Sequence, residues 1–127
     1  MTTEDAIVLF AHGARDAAWA VPLQRLQREL ARARPATSVH VAFLELQRPS
    51  LAEVLAELTA GGCRQIDIAP IFWSQGGHIA VDLPALVQQF AASASDVTIR
   101  VMPVLSELPG MHEFVLQAIL ARSDSQL

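Results

Sequence analysis

Two histidines and one glutamate stand where they could share a metal ion: His12, His78 and Glu45. His12 precedes Gly13, Glu45 lies a few residues before Pro49, and His78 follows Gly76-Gly77. Neutral imidazole and carboxylate suit borderline divalent cations such as cobalt, iron, nickel and zinc. Three protein ligands leave coordination positions open for a substrate. Imidazole also changes charge near neutral pH, so it can accept a proton as well as ligate. The adjoining glycines permit tight turns or the close approach of a large ligand.

Apolar runs alternate with helix-period segments, and these elements must bring the three residues together. Ala6 to Ala11 is a continuous apolar run, as expected of a strand buried on both faces. Trp19 to Arg34 carries Leu23, Leu26 and Leu30 at helical spacing and stops before Pro35. Val39 to Leu44 is the second strand. Ser50 and Glu53 form a capping box for a helix with Leu51, Val54, Leu55 and Leu58 inward, ended by Gly61-Gly62. Gln65 to Phe72 is the third strand. Asp82 is placed to cap the next helix, with Pro84 in its first turn and Leu83, Leu86, Val87 and Phe90 inward. Val97 to Val104 is the fourth strand. Met111 to Arg122 closes the chain, with Val115, Ala118 and Ile119 on one side.

Strands separated by single helices indicate βαβ units, a parallel sheet and right-handed crossovers. The expected fold is α/β: a three-layer α/β/α single domain over residues 1–127 with a four-stranded parallel sheet. The order 2-1-3-4 follows by analogy with flavodoxin-like folds. Residues 1–5 and 123–127 are expected to fray. Ligands of such sheets bind beyond the carboxyl ends of the strands. That edge collects His12 to Asp16, then Glu45 and Arg48-Pro49, then Trp73 to His78, and finally Pro103, Ser106 and Glu107. Two histidines and a carboxylate thus leave one edge from three adjacent strands.

Composition narrows the function classes. A chain of 127 residues buries enough surface to fold without a disulfide or structural metal. Its one cysteine, Cys63, excludes a cysteine-rich zinc or iron–sulfur site and reads as a packing residue. A formal net charge of −4 gives no electrostatic case for nucleic acid or an anionic membrane. No stretch approaches the roughly 20 apolar residues that span a bilayer. The acidic start lacks the basic region of a signal peptide, so the chain is expected in the cytoplasm.

At these residues the sequence resembles the sirohydrochlorin chelatases (class II chelatase superfamily; short-form CbiX/SirB-like). Ala11-His12-Gly13-Ala14-Arg15-Asp16 is similar to that family's opening His-Gly-Ser-Arg motif. Phe43-Leu44-Glu45 with Pro49-Ser50-Leu51 resembles its second motif. Pro70-Ile71-Phe72 with Gly76-Gly77-His78 and Asp82-Leu83-Pro84 resembles its third. The resemblance runs from about Ile7 to Leu120. It implies insertion of cobalt or iron into sirohydrochlorin, in cobalamin or sirohaem biosynthesis. It implies metal binding by His12 and His78, with Glu45 as the acidic partner. The metal (cobalt, iron or nickel) is then a substrate, and no organic cofactor is required. Long members of the family carry two facing domains, so a single domain implies a cleft made by homodimerisation. Ala14, where the family usually has serine, removes a hydroxyl near the site.

The remaining polar and aromatic residues have two readings each. Arg15 and Arg48 could pair with substrate carboxylates in fork geometry, or be surface arginines. Trp73 could stack on the macrocycle or pack between copies. Gly76 and Gly77 would let the substrate approach the backbone; Ser74 and Gln75 could touch it or shape the turn. His40, inside the second strand, reads as structural, and His112 as a surface residue. Asp82 can also orient the His78 loop.

Other functions fit parts of the pattern. A non-catalytic metal or tetrapyrrole carrier would use the same ligands. A receiver module would want an acidic residue after strand three and a lysine later; strand three ends Ala69-Pro70-Ile71-Phe72, and all nine basic residues are arginine. No Walker-type loop or GxGxxG follows strand one. A metallohydrolase would use a metal-bound water, but no residue pattern names its substrate.

Overall fold

The computed structural model describes residues 4–74, 76–94 and 96–124, without the side chain of His78. The four apolar runs form four parallel strands, β1 (Asp5–Ala11), β2 (Thr37–Phe43), β3 (Gln65–Pro70) and β4 (Thr98–Val101), in the order β2-β1-β3-β4. The expected order therefore holds. Strand β1 starts inside the stretch expected to fray, because the Glu4 carbonyl accepts the backbone N–H groups of Arg64 (2.8 Å) and Gln65 (3.0 Å).

The side-chain alternation of the sheet makes two cores. Val8, Phe10, Ile66 and Ile68 face α2 (Leu51–Ala60) and α3 (Gly77–Ser93). Leu9 and Ala11, with Ile7, Ala69 and Ile71, face α1 (Val21–Ala33). The register sets Ala11 opposite Phe43 and Phe10 opposite Pro70. His12, Leu44 and Ile71 therefore leave the same edge almost level with one another.

Helix α2 follows its sequence signals closely. Ser50 Oγ accepts the Glu53 N–H, and the Glu53 carboxylate accepts the Ser50 N–H, both at 3.1 Å. Leu51, Val54, Leu55 and Leu58 are all buried. Each contributes roughly 1.5–3 kcal/mol by leaving water. Helix α1 starts later than expected: a 3-10 turn, Ala17–Ala20, precedes it, capped by the Asp16 carboxylate at 2.9 Å from the Ala18 N–H. Pro22 then occupies the first turn, where its missing N–H costs nothing.

Three expectations fail for physical reasons. Asp82 does not cap α3. The helix opens six residues earlier, on extended Gly76 (φ −75°, ψ 166°), and Pro84 lies inside it. The earlier start buries Ile79 and Leu83 one turn apart against the sheet. That gain outweighs the bond to the Ala80 carbonyl that a proline cannot make. Strand β4 ends at Val101 instead of running to Val104. Met102 still donates to the Ile68 carbonyl at 2.8 Å, but Pro103 has no N–H to continue the ladder, and Leu105 donates to the Phe72 carbonyl instead.

The third concerns α4 (Met111–Ser123), which does not present one buried side. None of its residues is buried, Val115 is only half-buried, Ala118 is exposed, and Ile119 and Phe114 are 62 % and 69 % exposed. Its main contact is the short 3-10 turn Leu105–Glu107. Apolar residues surround this helix rather than forming a stripe. On the sheet itself, Arg100 of β4 and Asp67 of β3 pair across the strands at 2.7 and 3.0 Å.

Cys63 is buried, its thiol 3.3 Å from the Glu4 carbonyl, and burial pushes that thiol up, away from the reactive thiolate. His40 is half-buried with Nε2 2.9 Å from Ser38 Oγ. Burial lowers its pKa, and the charge of Glu57 opposes that shift in part. No described helix is long and apolar enough to cross a membrane.

Candidate functional site

The His12 segment is fixed by the chain next to it. Leu44 donates to the Ala11 carbonyl at 2.8 Å, and Glu45 donates to the His12 carbonyl at 3.0 Å. These bonds extend the β1–β2 ladder past the formal ends of both strands. His12 and Glu45 thus sit side by side in backbone, each with an exposed side chain. Gly13 follows with φ +90°, and a Cβ there would lie 2.0 Å from the Glu45 carbonyl oxygen. Only glycine permits both the conformation and the approach.

The loop after β2 is tightly folded. Gln47 donates its N–H to the Glu45 carbonyl at 2.8 Å, closing a γ-turn about Leu46, whose φ is 66°. A branched residue at positive φ stores roughly 1–3 kcal/mol of strain, which the surrounding bonds must hold. Gln47 then turns its side chain to the first loop, where Oε1 accepts the Ala14 N–H at 2.9 Å. Neither residue was flagged by residue type alone. The signal that existed was position: Gln47 lies within one loop of Glu45.

The His12 ring rests on an aromatic stack. Its centroid is 4.7 Å from that of Phe72, edge to face at 87°, and Phe72 stands in the same way on Phe10 at 5.3 Å and 81°. Phe10, Phe72 and Ile79 belong to one buried cluster. His78 precedes Ile79 in the first turn of α3, so its backbone reaches the cluster that carries the His12 ring. The His78 side chain lies outside the described structure, as does Gln75. Among the described residues no group of three His, Cys, Asp or Glu side chains is close enough to hold a metal.

Around these groups lies a rim of exposed apolar side chains: Leu44, Leu46 and Trp73, with Trp19 beside the first loop. Gly76 and Gly77 adopt ordinary backbone angles, so neither is needed for a tight turn. A Cβ at either would meet nothing within 4 Å, which leaves open space before α3. Beside them an apolar groove of about 180 Å³ runs between the first turns of α2 and α3, lined by Phe10, Phe43, Leu51 and Ile79 with Asp82 on its wall.

Arg15 is exposed on the first loop. Arg48 is exposed too, but its fork already faces Glu53, with Nε 3.2 Å from Oε1 and Nη2 on Oε2. That guanidinium, followed by the Ser50 backbone, holds the Glu53 carboxyl down at about 2. His112 is exposed on α4, as expected of a surface residue.

A family model, CbiX, matches residues 6–122. The chain belongs to the CbiX family. It is similar to the sirohydrochlorin cobaltochelatases of Saccharolobus islandicus and Methanothermobacter thermautotrophicus. It is 37% identical to each over 49 residues. That stretch covers 39% of this chain and 38% and 34% of the two relatives. The crystal structure of a CbiX protein from Marinobacter aquaeolei VT8 superposes with a TM-score of 0.76 at 25% identity. It covers 94% of this chain and 98% of that one. The sirohydrochlorin chelatase SirB from Bacillus subtilis subspecies spizizenii, in complex with cobalt, has a TM-score of 0.70 at 23% identity. The match covers 96% of this chain but 50% of SirB, and at that identity it shows a shared fold.

Proposed function

We propose that this CbiX protein is a sirohydrochlorin chelatase that inserts cobalt(II) or iron(II) into the tetrapyrrole, in cobalamin or sirohaem biosynthesis. One observation supports this reading most: the ladder that sets His12 beside Glu45 at the sheet edge, within the family's matched region. In the proposal His12 and His78 hold the incoming cation, Glu45 supplies the acidic partner, and the reaction takes place in the cytoplasm. Pyrrole nitrogens then replace these protein ligands one after another. Two N–H protons leave as the dication enters, and Glu45 or a released imidazole accepts them. The exposed side chains of His12 and Glu45 suit that exchange, because ligands that must let go cannot be locked in a closed shell.

The substrate side of the proposal rests on the rim. A flat macrocycle needs apolar contact, which Trp73, Leu44 and Leu46 offer, and open space, which Gly76 and Gly77 leave. Its carboxylates need cations. Arg15, exposed on the first loop, would serve one, and Arg48 would serve another through the donors that Glu53 does not occupy. The groove of about 180 Å³ is below the roughly 300–1,000 Å³ of an enclosing ligand pocket. The proposal therefore includes a second copy that completes the cleft as a homodimer. The all-round apolar surface of α4 supports this, since such a helix is normally covered.

The test mixes purified protein, sirohydrochlorin and cobalt(II), and follows the absorption spectrum of the macrocycle. The wild type should accelerate insertion, and His12→Ala and His78→Ala should each abolish it while the thermal midpoint is kept. Saturable binding without faster insertion would assign the site to a carrier instead.

A further inference from the structure

The loop that carries His12 has three ties to the loop that carries Glu45, and they differ in kind. Two are main-chain bonds, Leu44 to Ala11 and Glu45 to His12, which any sequence could make. The third is a side chain: Gln47 Oε1 accepts the Ala14 N–H across a separation of 33 residues. Ala14 lies two residues beyond His12, after the positive-φ turn at Gly13. At that point the chain has left the sheet and no strand partner remains for its N–H groups. Gln47 is itself aimed by the γ-turn about Leu46. Both ends of the contact are partly buried, which favours a bond over solvation by water.

We infer that Gln47 is a positioning residue for the metal site: its side-chain oxygen closes the His12 loop onto the Glu45 loop and so holds the two groups at a fixed separation. The bond falls on Ala14, the position where this chain lacks the hydroxyl usual in the motif. The donor is the main-chain N–H, so a side chain from the opposite loop supplies the closure whatever residue stands at position 14. Only an acceptor is required at position 47, because the donor is a main-chain N–H. That requirement separates positioning from simple packing. Gln47→Glu keeps an oxygen at the same reach; Gln47→Leu keeps the bulk and loses the acceptor.

The inference rests on the chelatase reading for its kinetic consequence, so the experiment has two independent arms. In the first, amide hydrogen exchange and the His12 ring resonances are measured by NMR on wild type, Gln47→Leu and Gln47→Glu without metal. Gln47→Leu should strip protection from the Ala14 N–H by about tenfold or more and broaden the His12 ring signals, and Gln47→Glu should retain both. In the second, cobalt insertion into sirohydrochlorin is timed. A displacement approaching 1 Å at the site lowers rates by up to about 10²-fold, so Gln47→Leu should lose at least about tenfold in kcat with little change in thermal midpoint. Gln47→Glu should recover to within about threefold of wild type. Unchanged Ala14 exchange and His12 signals in Gln47→Leu, or equal impairment of both variants, would overturn the inference. A wild type that inserts no metal would remove the chelatase reading, and the NMR arm would still decide the role of Gln47.

Discussion

Replacing Gly13 by alanine tests the loop geometry most severely. The added Cβ would lie 2.0 Å from the Glu45 carbonyl oxygen, while real Cβ contacts essentially never fall under 3.0 Å. The two loops must therefore part by at least about 1 Å, a displacement that can cost about 10²-fold in rate. Alanine also pays roughly 1–2 kcal/mol at positive φ. Overpacking adds roughly 1–3 kcal/mol. Gly62 provides the control: its φ is +88°, and a Cβ there meets nothing within 4 Å. Gly62→Ala should thus pay the conformational cost alone. For a domain of this size, roughly 3–5 °C of thermal midpoint accompanies each kcal/mol. Gly62→Ala should lose roughly 3–10 °C and keep its insertion rate. Gly13→Ala should lose clearly more and fall about 10²-fold in rate. Scanning calorimetry and the spectral insertion assay read the two quantities. If Gly13→Ala matches Gly62→Ala in midpoint and stays within threefold of wild-type rate, the close approach of the loops does not matter and the reasoning fails.

Phe72→Leu removes the ring beneath His12 while keeping the core apolar. An aromatic edge contact is worth about 0.5–1.5 kcal/mol, so cobalt(II) affinity by titration should fall roughly 2–12-fold. Phe114→Gln combined with Ile119→Glu places polar groups on the exposed side of α4; sedimentation velocity should show a dimer in the wild type and a monomer in the variant. An intact dimer in the variant would place the interface elsewhere. Burial lowers the pKa of His40 in the folded protein, so the unfolded chain takes up its proton first as pH falls. The stability this burial allows is complete above the unfolded value of about 6.5 and is lost as pH drops below it toward the folded value. His40→Gln should flatten that part of the urea-unfolding profile measured against pH, and an unchanged slope would count against it.

The parts of the fold written in periodicity were legible before any coordinates. Helix α2 is the clearest case, because its capping box, its buried stripe and its glycine stop all lie within one short stretch and agree with one another. The parallel sheet and the placing of His12 and Glu45 on one edge followed from the alternation of strands and helices, while the strand order came by analogy with flavodoxin-like folds. What was misread depended on long-range competition. Asp82 and Pro84 look locally like a helix start, but burial of Ile79 and Leu83 against the sheet carries the helix back to Gly77. Helix α4 has apolar residues enough for a core face, yet they lie all round it, and none is buried. Gln47 was missed because glutamine has no chemistry of its own to flag. Its role depends on a γ-turn and on an N–H from a segment 33 residues away. The two readings left for Arg48 are narrowed by its contact with Glu53, a partner five residues on that pattern reading had assigned only to the helix cap.

The most direct test of the account is the anomalous-scattering map of crystals soaked in cobalt(II). The account predicts one strong peak at the sheet edge, about 2.0–2.1 Å from a ring nitrogen of His12 and of His78, with Glu45 facing it. A cobalt peak elsewhere, or His12 and His78 rings too far apart to share one ion, would contradict it.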